Sequence, residues 1–201
     1  MLDGWARKQI DPLVAPAAAA AARAGIPANA ITLASFAAGL AAAASVAGGW
    51  SLAGLVLILL SRFGDALDGA VARIGGKTDL GGYLDIVLDF CFYGAVPMGF
   101  VLADPAANAV PAAVLLLAFY VNGSSFLAYA VMAERREPGS GAQGSKSLYF
   151  TAGLAEATET IAAFVLACLF PGWFPVIAWV FAAMTLYTAL ARIALAARMF
   201  R

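Results

Sequence analysis

The chain has 201 residues, 63% of them hydrophobic and 12% charged, with a mean hydropathy of +0.87. A soluble domain carries about a quarter charged residues, so too little polar surface is present to cover a water-soluble globule, and a disordered chain is excluded on the same ground. Twelve Lys and Arg balance twelve Asp and Glu and histidine is absent, so no net field draws in nucleic acid, His-based triads, His-ligated zinc and haem are excluded, and any metal must be held by oxygen.

Read in chain order, the sequence predicts an all-α integral membrane protein with one domain over residues 1–201. An N-terminal surface helix falls within residues 1–26 and a bundle of six transmembrane helices within 28–197. Leu2 to Ala22 carries Asp3, Arg7, Lys8 and Asp11 ahead of an alanine run, which reads as an amphipathic helix lying on the membrane. Asp11 and Pro12 interrupt that run too early for the core of a secretory signal peptide.

Six apolar stretches near the 20-residue length of a span follow: Ala28 to Gly48, Leu52 to Ala72, Leu80 to Ala103, Ala106 to Ala133, Leu148 to Phe170 and Trp173 to Ala197. Cys91 and Cys168 lie inside apolar runs and read as packing residues. Small residues crowd the first span and Ala189 to Ala197, which lets helices approach closely. With the N-terminus inside, every Lys and Arg except Arg62 falls at a cytoplasmic end, and the outer turns near Gly49, Asp104 and Gly172 hold none. Both termini and the turn after the second span are therefore expected in the cytoplasm, in a bacterial inner membrane.

An ionisable side chain inside a membrane costs several kcal/mol unless it is paired, solvated or bound to metal, so each one marks a candidate site. They concentrate in one hairpin. Asp65, Asp68, Gly69 and Ala72 fall within one arc at the end of the second span, and Asp85 and Asp89, four apart, share a face of the third. Four carboxylates this close repel unless cations lie between them or some are protonated. A pair of Mg²⁺ or Mn²⁺ ions suits an all-oxygen donor set and is a known way to bind a pyrophosphate. Gly69 and Ala72 leave a groove beside the carboxylates, and Arg73 stands at its rim.

The run D-x-x-D-G-x-x-A-R over Asp65 to Arg73, followed by G-x-x-x-D-x-x-x-D over Gly81 to Asp89, resembles the signature of the CDP-alcohol phosphotransferase family. Eight positions match, Asp65, Asp68, Gly69, Ala72, Arg73, Gly81, Asp85 and Asp89, although Arg73 to Gly81 encloses seven residues, one fewer than is usual. Asn29 and Thr32, at the start of the first span, extend the resemblance. It implies an enzyme of phospholipid biosynthesis that moves a phosphoalcohol group, here a phosphatidyl group, from a CDP-linked donor to an acceptor alcohol and releases CMP. Asp65, Asp68, Asp85 and Asp89 would hold the metal, and Asp89 would also take the acceptor's proton. Asp65, Asp68, Gly69, Ala72, Arg73, Asn29 and Thr32 would bind the nucleotide. A homodimer is implied as well.

Other charged residues carry two readings each. Arg62 pairs with a carboxylate such as Asp65 or Glu159. Glu156 and Glu159, three apart in the fifth span, either line an acceptor pocket or make a polar interhelical contact. The loop Glu134 to Ser147 is either a solvated cytosolic loop or brings Arg135, Arg136 or Lys146 to an acceptor's phosphate. A reading from another class, an ion- or proton-coupled secondary transporter, would string the same carboxylates into a cation path. Carriers place that path near the midplane in broken helices or repeats, whereas these aspartates lie toward one end.

Overall fold

Glycines end the first three helices. A computed structural model of the chain describes residues 3–136 and 154–200. Helix α1 (Asp3–Arg23) stops at Gly25, α2 (Ala28–Ala47) runs into Gly49, and α3 (Ser51–Gly75) stops at Gly76. These three glycines have φ of 71°, 82° and 101°, the left-handed region that side chains with a Cβ avoid. Helix α4 (Asp79–Ala103) starts at Thr78, whose hydroxyl accepts from the Gly81 N–H at 3.0 Å. Asp104 caps α5 (Pro105–Arg136) through the Ala107 N–H at 3.1 Å. Helix α6 (Ala157–Leu169), a short 3₁₀ turn (Pro171–Trp173) and α7 (Phe174–Met199) complete the described chain.

The described residues are helical with no strand. α2, α4, α5 and the stretch from the 3₁₀ turn through α7 are long and apolar enough to cross a membrane. α3 is 25 residues long but carries Arg62, Asp65, Asp68 and Arg73. Large apolar side chains such as Leu33, Leu52, Val56, Leu102, Val110, Leu117 and Val180 point outward, the arrangement a lipid solvent favours and water does not.

Inside, small residues bring α2, α3 and α4 together. A Cβ on Gly54 would strike Val46, one on Gly99 the Ala43 carbonyl, and one on Gly39 the Phe92 ring. This is close backbone packing of the kind lipid-embedded helices rely on, since lipid tails give apolar contacts no solvent advantage. An aromatic core fills the remaining space. Phe92 meets Phe164 edge-on at 6.0 Å between centroids, and Phe100 stacks on Phe174 at 4.4 Å. The α1 helix lays Val14, Ala18 and Ala21, one stripe at helical spacing, against Ala70 and Val71 of α3.

The first four expected spans match α2 to α5 and the last matches α7, each within a few residues. The fifth differs. It was expected to be helical from Leu148 to Phe170, but Leu154 to Glu156 are not helical and α6 begins at Ala157; residues 148–153 lie outside the described residues. Two sets of contacts account for it: the Leu154 and Ala155 N–H groups donate to the Thr188 hydroxyl of α7 at 3.0 and 3.1 Å, and Glu156 with Glu159 closes a capping box that starts the helix. At 13 residues and 1.5 Å per residue, α6 is about 20 Å long, short of the roughly 30 Å hydrocarbon core.

Candidate active site

The hairpin between α3 and α4 needs only Gly76, Lys77 and Thr78 to reverse the chain, so the last turns of α3 face the first turns of α4. One carboxylate oxygen from each of Asp65, Asp68 and Asp85 lies within 4.8 Å of the others. Asp85 is exposed, Asp65 half-buried, and Asp68 only 5% exposed. Asp68 Oδ2 is buried with no hydrogen-bond partner among the described residues, a state that costs free energy in the absence of a cation. Ligand oxygens about 2.0–2.1 Å from Mg²⁺ stand about 3–4 Å from one another, so a slight contraction of these three would suffice. The donor set, the spacing and the orphaned oxygen fit a hard divalent ion.

Asp89 is outside that group of three and lies beside Asp65. Its Oδ1 accepts from Arg62 Nη1 at 2.6 Å, and the same nitrogen lies 3.6 Å from Asp65 Oδ2. The expected pairing of Arg62 with Asp65 is therefore present. Its Glu159 alternative is replaced by Asp89, and Glu159 Oε2 accepts from the Glu156 N–H at 3.2 Å.

Around the aspartates the expected groove is open. Among the described residues, a Cβ on Gly69 would have only the Arg73 guanidinium within 4 Å, at 3.7 Å. Gly81 has a different reason to be glycine: a Cβ there would sit 3.0 Å from Asn29 Oδ1, so its absence lets Asn29 of α2 reach the start of α4. Thr32 is buried beside the Asp68 carboxylate, its hydroxyl donating to the Ala28 carbonyl at 3.1 Å. Asn29 and Thr32 thus join the hairpin from a third helix.

The described residues expected in an acceptor pocket lie on α5 and at the start of α6, which packs against α3. Glu156 and Glu159 cap α6 rather than standing along the wall of a long span. Their three-residue spacing reads equally as one helix face and as a capping box, and only the position of the helix start separates the two. Arg135 lies on the exposed end of α5 beside Glu134, at a shallow hollow also lined by Ala130 and Val131. The Arg136 side chain and Lys146 lie outside the described residues.

Sequence reasoning missed a second half-buried cation. Arg192 of α7 was counted only among the basic ends, yet its Nη1 donates to the Asn122 carbonyl at 3.0 Å, Asn122 Oδ1 at 2.9 Å and Ser125 Oγ at 2.9 Å. Asn122 and Ser125, one turn apart in an apolar helix, were the available signal.

Comparison with known proteins agrees with this geometry. Residues 26–190 match the CDP-alcohol phosphatidyltransferase family. The chain is 47% identical over 193 residues to Inner membrane protein YnjF of Escherichia coli (strain K12), covering 96% of this chain and 94% of that protein. It is 40% identical over 94 residues to archaetidylinositol phosphate synthase of Methanothermobacter thermautotrophicus, covering 46% of this chain and 45% of that one. Among solved structures, phosphatidylinositol phosphate synthase of Mycobacterium tuberculosis with CDP-DAG bound has a TM-score of 0.69 at 23% identity, covering 91% of this chain and 92% of that one. The same enzyme in complex with manganese and citrate gives 0.68 at 23% identity, covering 90% and 87%; at this identity the likeness is one of fold. The match runs from Ile26, just before α2, into α7 and takes in the whole aspartate hairpin, and the chain belongs to the CDP-alcohol phosphatidyltransferase family.

Proposed function

We propose that the chain is an integral protein of a bacterial inner membrane that transfers a phosphatidyl group from a CDP-diacylglycerol-type donor to an acceptor alcohol and releases CMP. The observation that carries this reading is the convergence of the Asp65, Asp68 and Asp85 carboxylates at the mouth of the α3–α4 hairpin. It is supported by the family match, by the name of the E. coli relative, and by the CDP-DAG held by the mycobacterial enzyme of the same fold. In this reading α3 and the segment that contains α6 complete six spans, α1 lies on the cytoplasmic surface, and the hairpin opens to the cytosol. The one-sided distribution of Lys and Arg supports that orientation.

Asp65, Asp68 and Asp85 would hold Mg²⁺ or Mn²⁺, which supplies positive charge to the donor pyrophosphate and the departing CMP. The open face of Gly69 and Ala72 admits the cytidine nucleotide, with Asn29 and Thr32 bordering it from α2 and Arg73 reaching a phosphate from the rim. The acceptor oxygen bonds to the phosphatidyl phosphorus as the bond from that phosphorus to the CMP oxygen breaks. Asp89 takes the acceptor's proton at Oδ2, the oxygen that Arg62 Nη1 does not hold. Arg62 fixes the orientation of that carboxylate. Glu156 and Glu159 set the start of α6.

The test is CMP release by the purified protein in detergent, with Mg²⁺ or Mn²⁺, across a panel that pairs CDP-diacylglycerol or CDP-choline with candidate alcohols. Acceptor-dependent CMP release that a chelator abolishes and metal restores is the expected result. No release from any pair, together with no binding of CMP in the presence of metal, would overturn the proposal.

A further inference from the structure

Aromatic rings form a layer across α4 to α7. Tyr93 of α4 meets Phe119 of α5 at 6.3 Å between centroids and Phe164 of α6 at 6.5 Å, and Phe119 meets Phe181 of α7 at 6.1 Å. On the side of this layer toward the hairpin end of the bundle, the same four helices turn polar. Asp89 lies about one turn from Tyr93, Asn122 and Ser125 about one and two turns from Phe119, Glu156 about two turns from Phe164, and Arg192 about three from Phe181. All five are half-buried, so solvent reaches them from that end while the rings close the other.

Packing draws these polar residues together. A Cβ on Gly123 would strike the Phe90 ring, so α4 and α5 approach closely at the level of Asp89 and Asn122. Arg192 ties α7 to α5 through Asn122 and Ser125. Thr188, one turn before Arg192, holds the Leu154 and Ala155 N–H groups and so brings Glu156 near the guanidinium. The charges of the five match: Arg62 of α3 bonds Asp89, and Glu156 accompanies Arg192. Arg192 Nη1 meets three oxygen acceptors with its two hydrogens, and the guanidinium carbon stands 5.5 Å over the Phe126 ring. It is a fixed cation with a carboxylate nearby, rather than one held ready for an incoming anion.

We propose that this polar layer takes the acceptor, and that the acceptor is an uncharged polyhydroxy alcohol rather than a phosphorylated one. The inference rests on the transfer reading given above and names the substrate class of the same site. A hydroxyl both donates and accepts, so neighbouring hydroxyls of a polyol bond in turn to the Asn122 amide, the Glu156 carboxylate and the Arg192 guanidinium. A phosphate monoester would set its charge against Glu156 and Asp89, and would have to draw Arg192 from the oxygens that hold it. Glu156 is then the residue that sets specificity, because its charge offsets that of Arg192.

The experiment measures CMP release by the purified full-length protein in detergent, with CDP-diacylglycerol and Mn²⁺, for glycerol and myo-inositol against glycerol phosphate and inositol phosphate. Wild type is expected to use at least one free polyol with a kcat/KM about tenfold or more above that of its phosphate monoester. Glu156→Gln, whose side-chain oxygen still caps α6, is expected to shift that ratio about tenfold toward the monoester, mainly through KM, because the Arg192 charge is no longer offset. A role limited to capping would move the melting midpoint and leave the ratio as it was. A wild-type preference for the monoester, an unchanged ratio in a folded Glu156→Gln protein, or silence with both acceptor classes while CMP still binds with Mn²⁺ would each overturn the inference and leave the transfer reading in place. If Glu156→Gln does not fold, the wild-type ratio still decides. No release from any pair together with no binding of CMP would instead defeat the transfer reading, and the inference with it.

Discussion

Replacing Gly69 with leucine separates the groove from the fold. In the free protein the new Cβ meets only the far end of the Arg73 side chain, at 3.7 Å, an ordinary van der Waals distance. The helix interior gains about 0.5–0.8 kcal/mol from the better helix former, so the thermal midpoint should hold or rise. The bound state is different. The isobutyl group enters the face assigned to the cytidine nucleotide, and overlap of a few atoms costs about 3 kcal/mol, or roughly a 100-fold loss of affinity. Isothermal titration of CMP into the detergent-purified protein with saturating Mn²⁺ measures this directly, with a thermal melt as control. A CMP affinity within about threefold of wild type, in a protein that melts normally, would refute the placement of the nucleotide beside Asp68. The control position is Gly64, five residues earlier on α3. There an added Cβ collides with Ser35 Oγ and comes within 3.1 Å of Ser35 Cβ, so the hydroxyl must turn away from the Ile31 carbonyl it bonds and α2 must give by a few tenths of an ångström.

Gly64→Ala should therefore lower stability by about 1–3 kcal/mol, read as a lower melting midpoint, and an unchanged midpoint would show that α2 yields more easily than its packing implies. Asp89→Asn should reduce turnover by about 10²–10⁴-fold while CMP still binds, and normal turnover would remove Asp89 as the base. Asp68→Asn should weaken Mn²⁺ binding by about tenfold or more, because it neutralises the most buried carboxylate of the three; unchanged binding would move the ion elsewhere. Glu159→Ala should cost about 1 kcal/mol of stability through the lost capping box and leave acceptor preference as it was. A change of preferred alcohol at an unchanged midpoint would return Glu159 to an acceptor pocket.

The two half-buried arginines behave differently. Arg192 has Glu156 nearby and donates to neutral oxygens of α5, a carbonyl, an amide and a hydroxyl, which fix α5 against α7 by directional bonds. Arg62 is anchored by charge, between two carboxylates of α3 and α4. In a low-dielectric interior the second arrangement is the more demanding, since removal of either partner leaves an uncompensated charge. That is why exchanges at Asp89 need a stability control alongside the kinetic measurement.

The sequence alone determined the solvent, the helical class and the residues that gather at the hairpin. Low charge and long apolar runs leave no other fold class open, and period 3.6 places Asp65 with Asp68 and Asp85 with Asp89 whatever the neighbouring helices do. The motif at Gly69, Ala72 and Gly81 was legible for the same reason, because glycine and alanine one turn apart mark open or closely approached helix faces. Tertiary structure decided the rest. Which carboxylate Arg62 takes depends on the rotation of α4 against α3, and neither helix encodes that rotation by itself. The start of α6 depends on the Thr188 hydroxyl, 34 residues beyond Leu154, which draws off the N–H groups of Leu154 and Ala155 and leaves Glu156 and Glu159 to cap the helix. Local periodicity reports which residues share a face, whereas the partner each face meets is set by packing between segments distant in the chain.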